Sequence, residues 1–349
     1  MKFGMLHFFE HPAGGKTELQ VIEEQLDCMR LAEDLGFDFV WAPEHHFTDY
    51  GYCSSPMLML AAVASVTQRI RLGTGVLVLP FNDPVRIAEE CAMLDVISKG
   101  RLEVGVGRGF QPVEFQGVGV EQVHSRAIFE EALKIMIRAW TEPRLNFQGA
   151  HFRIPDQSVR PKPLQKPHPP LWMAAVSDES YSLAGKLGVN LLCPLIWGFR
   201  ADDTARLLES YRGTLRAEGH KPADKEIGAL CMVYCAETTD RARKEFGESV
   251  LWFYRTIADH LPQGKAIPGY ERYEQVRLRA LTANWQELLQ TGALICGNPD
   301  VCVRQIERLR TSYGITQLLC WTRMAGLHSR RALDSMEMIQ KYVMPHFKV

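Results

Sequence analysis

Eight short apolar segments of strand character recur along this 349-residue chain, and each runs into a segment with helical periodicity. The strands are predicted at Lys2–Phe9, Phe37–Ala42, Arg71–Leu79, Arg101–Val106, Leu171–Val176, Val189–Cys193, Ile227–Cys235 and Gln317–Trp321. A helix between consecutive strands returns the chain to the edge it left, so neighbouring strands pair in parallel. Eight such units close on themselves as a (β/α)8 TIM barrel, an α/β fold. The length would also suit a doubly wound sheet with a second domain. No break in composition divides the chain, which favours a single barrel domain over residues 1–349 with insertions.

Local signals agree with this order. Thr17 and Gln20 form a T-x-x-Q capping box, Leu19, Ile22, Leu26, Met29 and Ala32 make an apolar stripe at helical spacing, and Gly36 ends the helix. A further helix, Met57–Gln68, is apolar nearly all round, which an outer barrel helix tolerates only if its far side is covered. A homodimer through residues 57–66 is the expected cover. Residues 258–284 place Arg272, Arg277 and Arg279 among Pro262, Gly264, Pro268 and Gly269, and are a candidate mobile lid.

Composition removes several function classes. Forty Lys and Arg against 41 Asp and Glu leave a net charge of -1, without the basic excess of a nucleic-acid-binding protein. The longest apolar run, Met57–Val66, is half of the roughly 20 residues a membrane span needs. The amino terminus has no signal-peptide pattern, so a cytoplasmic location is expected. Nine scattered cysteines without a C-x-x-C pair suit reduced, buried thiols better than disulfides or a metal site.

Barrel chemistry gathers where strands end. The second strand runs into Glu44-His45-His46; adjacent residues in extended backbone face opposite ways, so this pair suits acid–base work better than binding one metal ion. The fourth ends in Gly105-Val106-Gly107-Arg108-Gly109, which lacks G-x-G-x-x-G spacing and is no dinucleotide fingerprint. Its small residues leave room for a flat ligand, and Arg108 offers a permanent cation. After the fifth strand, Ser177 and Ser180 open a helix whose free backbone donors suit an anion. Together with Arg126 these residues suggest a mononucleotide phosphate site.

At these positions the chain resembles the bacterial luciferase-like, flavin-dependent monooxygenases, and within them the luciferase α subunit. The likeness runs through Met1-Lys2-Phe3-Gly4, Gly36 to Trp41 with Glu44 to Thr48, Gly73-Thr74-Gly75, Asp83 to Arg86, Ser98 to Arg101, Gly105 to Gly109, Ser125-Arg126 and Val343-Met344-Pro345. It implies a two-component monooxygenase that takes reduced FMN from a separate flavin reductase. Through O2 and a flavin C4a-hydroperoxide it would oxygenate a small organic substrate. By position it makes His45 the catalytic histidine and places Glu44, Gly75, Val76, Gly107, Arg108, Arg126, Ala174, Val176, Ser177 and Ser180 around FMN. A non-proline cis peptide is implied at Gly75–Val76. Gly107 stands where the luciferases have a reactive cysteine and Val176 where they have an acid, which argues against efficient light emission and a long-chain aldehyde. Phe8, Trp321 and Arg323 are candidate substrate contacts. The alternatives are a deazaflavin (F420)-dependent oxidoreductase on the same barrel, a non-catalytic flavin-binding subunit, and a metal-dependent barrel hydrolase.

Overall fold

A computed structural model describes residues 1–11, 15–262 and 267–348. Its centre is a ring of eight parallel strands: β1 (Lys2–Leu6), β2 (Phe39–Ala42), β3 (Arg71–Thr74), β4 (Leu102–Gly107), β5 (Leu171–Ala174), β6 (Asn190–Pro194), β7 (Ile227–Cys235) and β8 (Gln317–Trp321). Each pairs with the next, and β8 pairs with β1 through Lys2 and Gln317, so the barrel is closed. Side chains alternate across the strand. In β2, Val40 and Ala42 pack outward under the helices, while Phe39 and Trp41 point into the barrel.

The barrel interior is filled unevenly. Trp41 and Trp172 meet edge to face at 5.5 Å, and Trp172 Nε1 donates to Glu103 Oε2 at 2.6 Å. Arg71 pairs with the same Glu103 near the amino ends of the strands. Glycine makes the room for this plug: a Cβ on Gly73 would lie 2.2 Å from Trp41 Cε3. Toward the carboxyl ends the inward positions fall to Gly75 and Gly107, and the space stays open.

Several elements differ from the sequence expectation. β1 stops at Leu6, and the segment read as one strand from Arg71 to Leu79 is interrupted at Gly75–Val76, where the peptide is cis, before a short strand at Leu77–Val78. In the first helix, Glu18–Asp34, the Thr17–Gln20 capping box is present, but the buried residues are Val21, Gln25, Cys28, Met29 and Ala32. Leu19 is 64% exposed, because the first turn projects beyond the barrel wall. The helix Ser125–Thr141 is preceded directly by a 3₁₀ turn at Gln122–His124. An antiparallel hairpin, Leu145–Gln148 with Arg153–Gln157, and a strand, Leu294–Gly297, on the outer half of β7 were not foreseen. Neither was the seven-residue helix Pro112–Val118.

Within residues 258–284, the helix Glu271–Thr282 follows a turn at Pro268–Gly269; residues 263–266, Gly264 included, lie outside the described residues. All nine cysteines are buried free thiols. Among the described residues, no helix is long and apolar enough to cross a membrane.

A Cβ on Gly105 would come within 2.1 Å of the Thr74 backbone oxygen, which cannot swing aside. Gly105→Ala is expected to cost about 2 kcal/mol or more in urea unfolding, the upper range for overpacking. Gly247→Ala, in an open helical site, should instead be neutral or slightly stabilising.

Candidate active site

The carboxyl ends of the strands surround a largely apolar cavity. Phe8, Glu44, His45, Gly75, Val76, Gly107, Arg108, Ala174, Val176, Ser177 and Ser180 line it, as do Tyr50, Phe110, Glu114, Trp197 and Tyr273, which sequence reasoning missed. Glycine at 107 has a steric reason, since a Cβ there would sit 2.7 Å from Val76 Cγ2.

His45 and His46 turn apart. His45 Nδ1 lies 2.9 Å from Glu114 Oε1, which also accepts the His46 amide at 3.0 Å. That oxygen is therefore an acceptor, and Nδ1 carries the hydrogen that it receives. The Gln111 side-chain amide lies 3.1 Å from the same ring nitrogen, and with Nδ1 donating it is the otherwise unpartnered amide oxygen that belongs on that side. Phe8 stacks near-parallel to the imidazole at 5.8 Å and Tyr50 meets it edge-on at 4.9 Å, which fixes the ring in place. This arrangement leaves Nε2 as the nitrogen free to exchange a proton. Glu114 stands in the first turn of the helix after β4, a position on the functional face of the barrel; that placement was the available signal for it.

Glu44 is a structural acceptor. It takes hydrogen bonds from the Val78 amide at 2.7 Å and Asn82 Nδ2 at 3.0 Å, and it contacts His46 Nε2 at 3.3 Å. The bond to Glu44 raises the His46 pKa above its ordinary value.

Arg108 and Arg126 converge. A Cβ built on Gly269 would be 3.2 Å from a guanidinium nitrogen of each, and both arginines line a neighbouring cleft with Glu179 and Ser180. Arg108 Nη2 donates to the Gly269 carbonyl at 3.0 Å, and its guanidinium lies 4.9 Å from the Tyr270 ring centre. The Tyr270 hydroxyl is held by Ser125 and the Gly109 carbonyl. Arg126 is paired with Glu179 at the surface, a contact that solvent keeps weak. Beside them Ser177 caps the helix Asp178–Leu187 through reciprocal bonds with Ser180. Two cations and a helix amino terminus thus meet at one edge of the cavity, a donor set suited to a phosphate.

Comparison with known proteins decides the family. The family model described as luciferase-like monooxygenase matches residues 1–317. The chain belongs to that family. It is 30% identical over 372 residues to the alkanal monooxygenase alpha chain of Photorhabdus laumondii, covering 100% of this chain and 98% of that one. It is 31% identical over 256 residues to the oxygenase component of the flavin-dependent trigonelline monooxygenase of Acinetobacter baylyi, covering 72% and 70% of the two chains. An uncharacterised protein of Sinorhizobium fredii is 34% identical over 226 residues, and that match spans 63% of the relative's length. Among solved structures, monooxygenase RslO1 from Streptomyces bottropensis superposes with a TM-score of 0.87 at 28% identity, each chain covered in full.

In this luciferase-like monooxygenase, Trp321 and Arg323 lie outside the cavity lining. Trp321 Nε1 donates to Glu10 Oε1 at 2.8 Å, and its ring backs Phe8 at 4.2 Å. Arg323 is 2% exposed and bonds Glu24 at 2.5 Å, with Glu10 3.8 Å away. Its charge serves a buried ion pair, so it is not free to hold a substrate carboxylate. Burial pushes the Glu10 carboxyl up to about 7 and pulls His7 down to about 4. Between its ordinary value and 7, folded Glu10 holds a proton that the unfolded chain releases, so this group destabilises the fold as pH rises. His7 acts in the opposite range, costing stability as pH falls from 6.5 toward 4. Glu10→Gln keeps the acceptor for Trp321 and removes the ionisation. Its melting temperature relative to the parent should climb steadily from pH 5 to pH 8; a constant difference would show that Glu10 is already charged at pH 5.

Proposed function

We propose that this chain is the oxygenase component of a two-component system that binds reduced FMN, uses O2 and oxygenates a small organic substrate. The observation that carries this reading is the His45–Glu114 pair on the wall of the same cavity whose edge is formed by Arg108, Ser177 and Ser180. The donor set fits a flavin mononucleotide: Arg108, Arg126 and the helix amino terminus after β5 would hold the phosphate. Gly75, Val76, Gly107, Ala174 and Val176 would leave a flat slot for the ring. When bound, reduced flavin supplies the two electrons that activate O2 for transfer of an oxygen atom.

This chain's residues supply positioning and a proton path. His45 exchanges a proton at Nε2, while Glu114 holds the ring in one tautomer and orientation. The apolar walls keep water from the reacting centre, and the helix Glu271–Thr282, which brings Tyr273 to the cavity, acts as its lid. A cavity formed without a nicotinamide-binding motif is the reason to assign the reduction of flavin to a separate reductase, and the relative named as an oxygenase component supports this.

We also infer a homodimer through the helices Pro56–Val66 and Pro84–Ile97. Leu58 and Val66 on the first, and Met93, Val96 and Ile97 on the second, are large apolar side chains left exposed on helices that pack side by side.

Four measurements test the proposal. His45→Ala should retain reduced-FMN binding and lose at least tenfold in substrate-coupled turnover, the low side of a typical acid–base effect of about 10²–10⁴; unchanged turnover removes His45 from the mechanism. Arg108→Ala should weaken FMN binding at least tenfold, and O2 consumption with reduced FMN separates oxygenation from deazaflavin hydride transfer. In light scattering, the parent should show twice the mass of Met93→Glu.

A further inference from the structure

Five aromatic side chains line the cavity: Phe8, Tyr50, Phe110, Trp197 and Tyr273. Trp197 meets Phe110 at 80° with ring centres 5.5 Å apart, and Tyr273 at 77° and 6.4 Å. Phe110 and Tyr273 lie parallel at 5.5 Å. Such a corner of faces and edges matches the offset and edge-to-face arrangements that another aromatic ring prefers.

Charge narrows the class of ligand. Among the described residues, Arg108 is the only arginine in the lining and there is no lysine. With Arg108 given to the phosphate, a second anion in the cavity would be buried without a counter-ion, which is strongly unfavourable. Hydrogen bonding narrows it further. Glu44 and Oε1 of Glu114 are occupied by protein donors and Oε2 of Glu114 is not, whereas no hydrogen bond engages the hydroxyls of Tyr50 or Tyr273 among the described residues. Burial holds both phenols above their ordinary range, so each keeps its proton and has a donor to offer. A ligand oxygen facing this wall therefore has a donor to accept from.

We propose that this wall selects an uncharged, ring-bearing carbonyl compound, its ring seated against Trp197 and Tyr273 and its oxygen accepting from a tyrosine hydroxyl. The inference rests on the flavin reading for one point, the assignment of Arg108 to the cofactor. Tyr273 stands in the first turn of the helix Glu271–Thr282, so that helix carries part of the specificity wall.

Three probes separate the requirements: acetylnaphthalene (ring and neutral carbonyl), naphthoate (the same ring with a negative charge) and decanone (a neutral carbonyl without a ring). Isothermal titration of the full chain, with and without oxidised FMN, should find acetylnaphthalene bound at least tenfold more tightly than either of the others. Tyr273→Phe should weaken it about threefold or more and Tyr273→Ala further, and both variants sit at a partly exposed position where folding is not at stake. Equal binding of naphthoate or decanone overturns the proposal, as does acetylnaphthalene binding that both variants leave unchanged. FMN titration reads the other hypothesis independently: a chain that prefers acetylnaphthalene but does not bind FMN refutes the flavin reading and supports this one. A chain that binds FMN without the preference refutes this one alone.

Discussion

An eight-stranded barrel has an interior just wide enough for side chains to fill, so its use depends on which layers are filled and which are left empty. Here Trp41, Trp172 and Phe39 fill the lower layers, and Gly73 admits the larger indole. The carboxyl ends carry glycine at inward positions, and a ligand-sized space remains. Every functional group described above depends on that asymmetry. His45, Glu114, Arg108 and the serines come from different strand ends, and the plug below them holds those ends at fixed spacing.

The barrel itself was readable from sequence because its signal is repeated. Eight apolar runs interleaved with helical periods reinforce one another, and an error of two or three residues at any one boundary changes nothing. His45, Arg108, Ser177 and Ser180 were readable for a related reason: they sit immediately after strands, and the fold dictates that such positions face the cavity. Glu114 was not, since its helix of seven residues is too short to show a period. Tyr50, Phe110, Trp197 and Tyr273 come from four separate segments, two loops, a 3₁₀ turn and the helix Glu271–Thr282, and only tertiary packing brings their rings within 6.4 Å of one another or of shared neighbours.

Arg323 shows where strand-end reasoning misleads. A guanidinium two residues beyond β8 looks free to bind a ligand, but its partner Glu24 is 299 residues away in sequence and is brought alongside by the closure of the barrel at β1 and β8. The same closure sets Trp321 behind Phe8, so that a residue read as a substrate contact instead braces one. The amphipathic stripe of the first helix is a smaller case: Leu19 matches the period, yet it precedes the point where the helix meets the wall.

The contact between Arg108 and the Gly269 carbonyl makes two parts of the cavity answer to each other. A phosphate forms charge-assisted bonds roughly twice as strong as those of a neutral carbonyl, so an anion arriving at Arg108 competes directly with the segment's backbone. Gly269 lies four residues before Tyr273 on the same segment. Occupancy at the cationic edge therefore alters the footing of an aromatic wall that touches the other occupant. By linkage any such influence runs both ways with equal free energy, so whichever of the proposed occupants binds first changes the affinity for the second by the same factor.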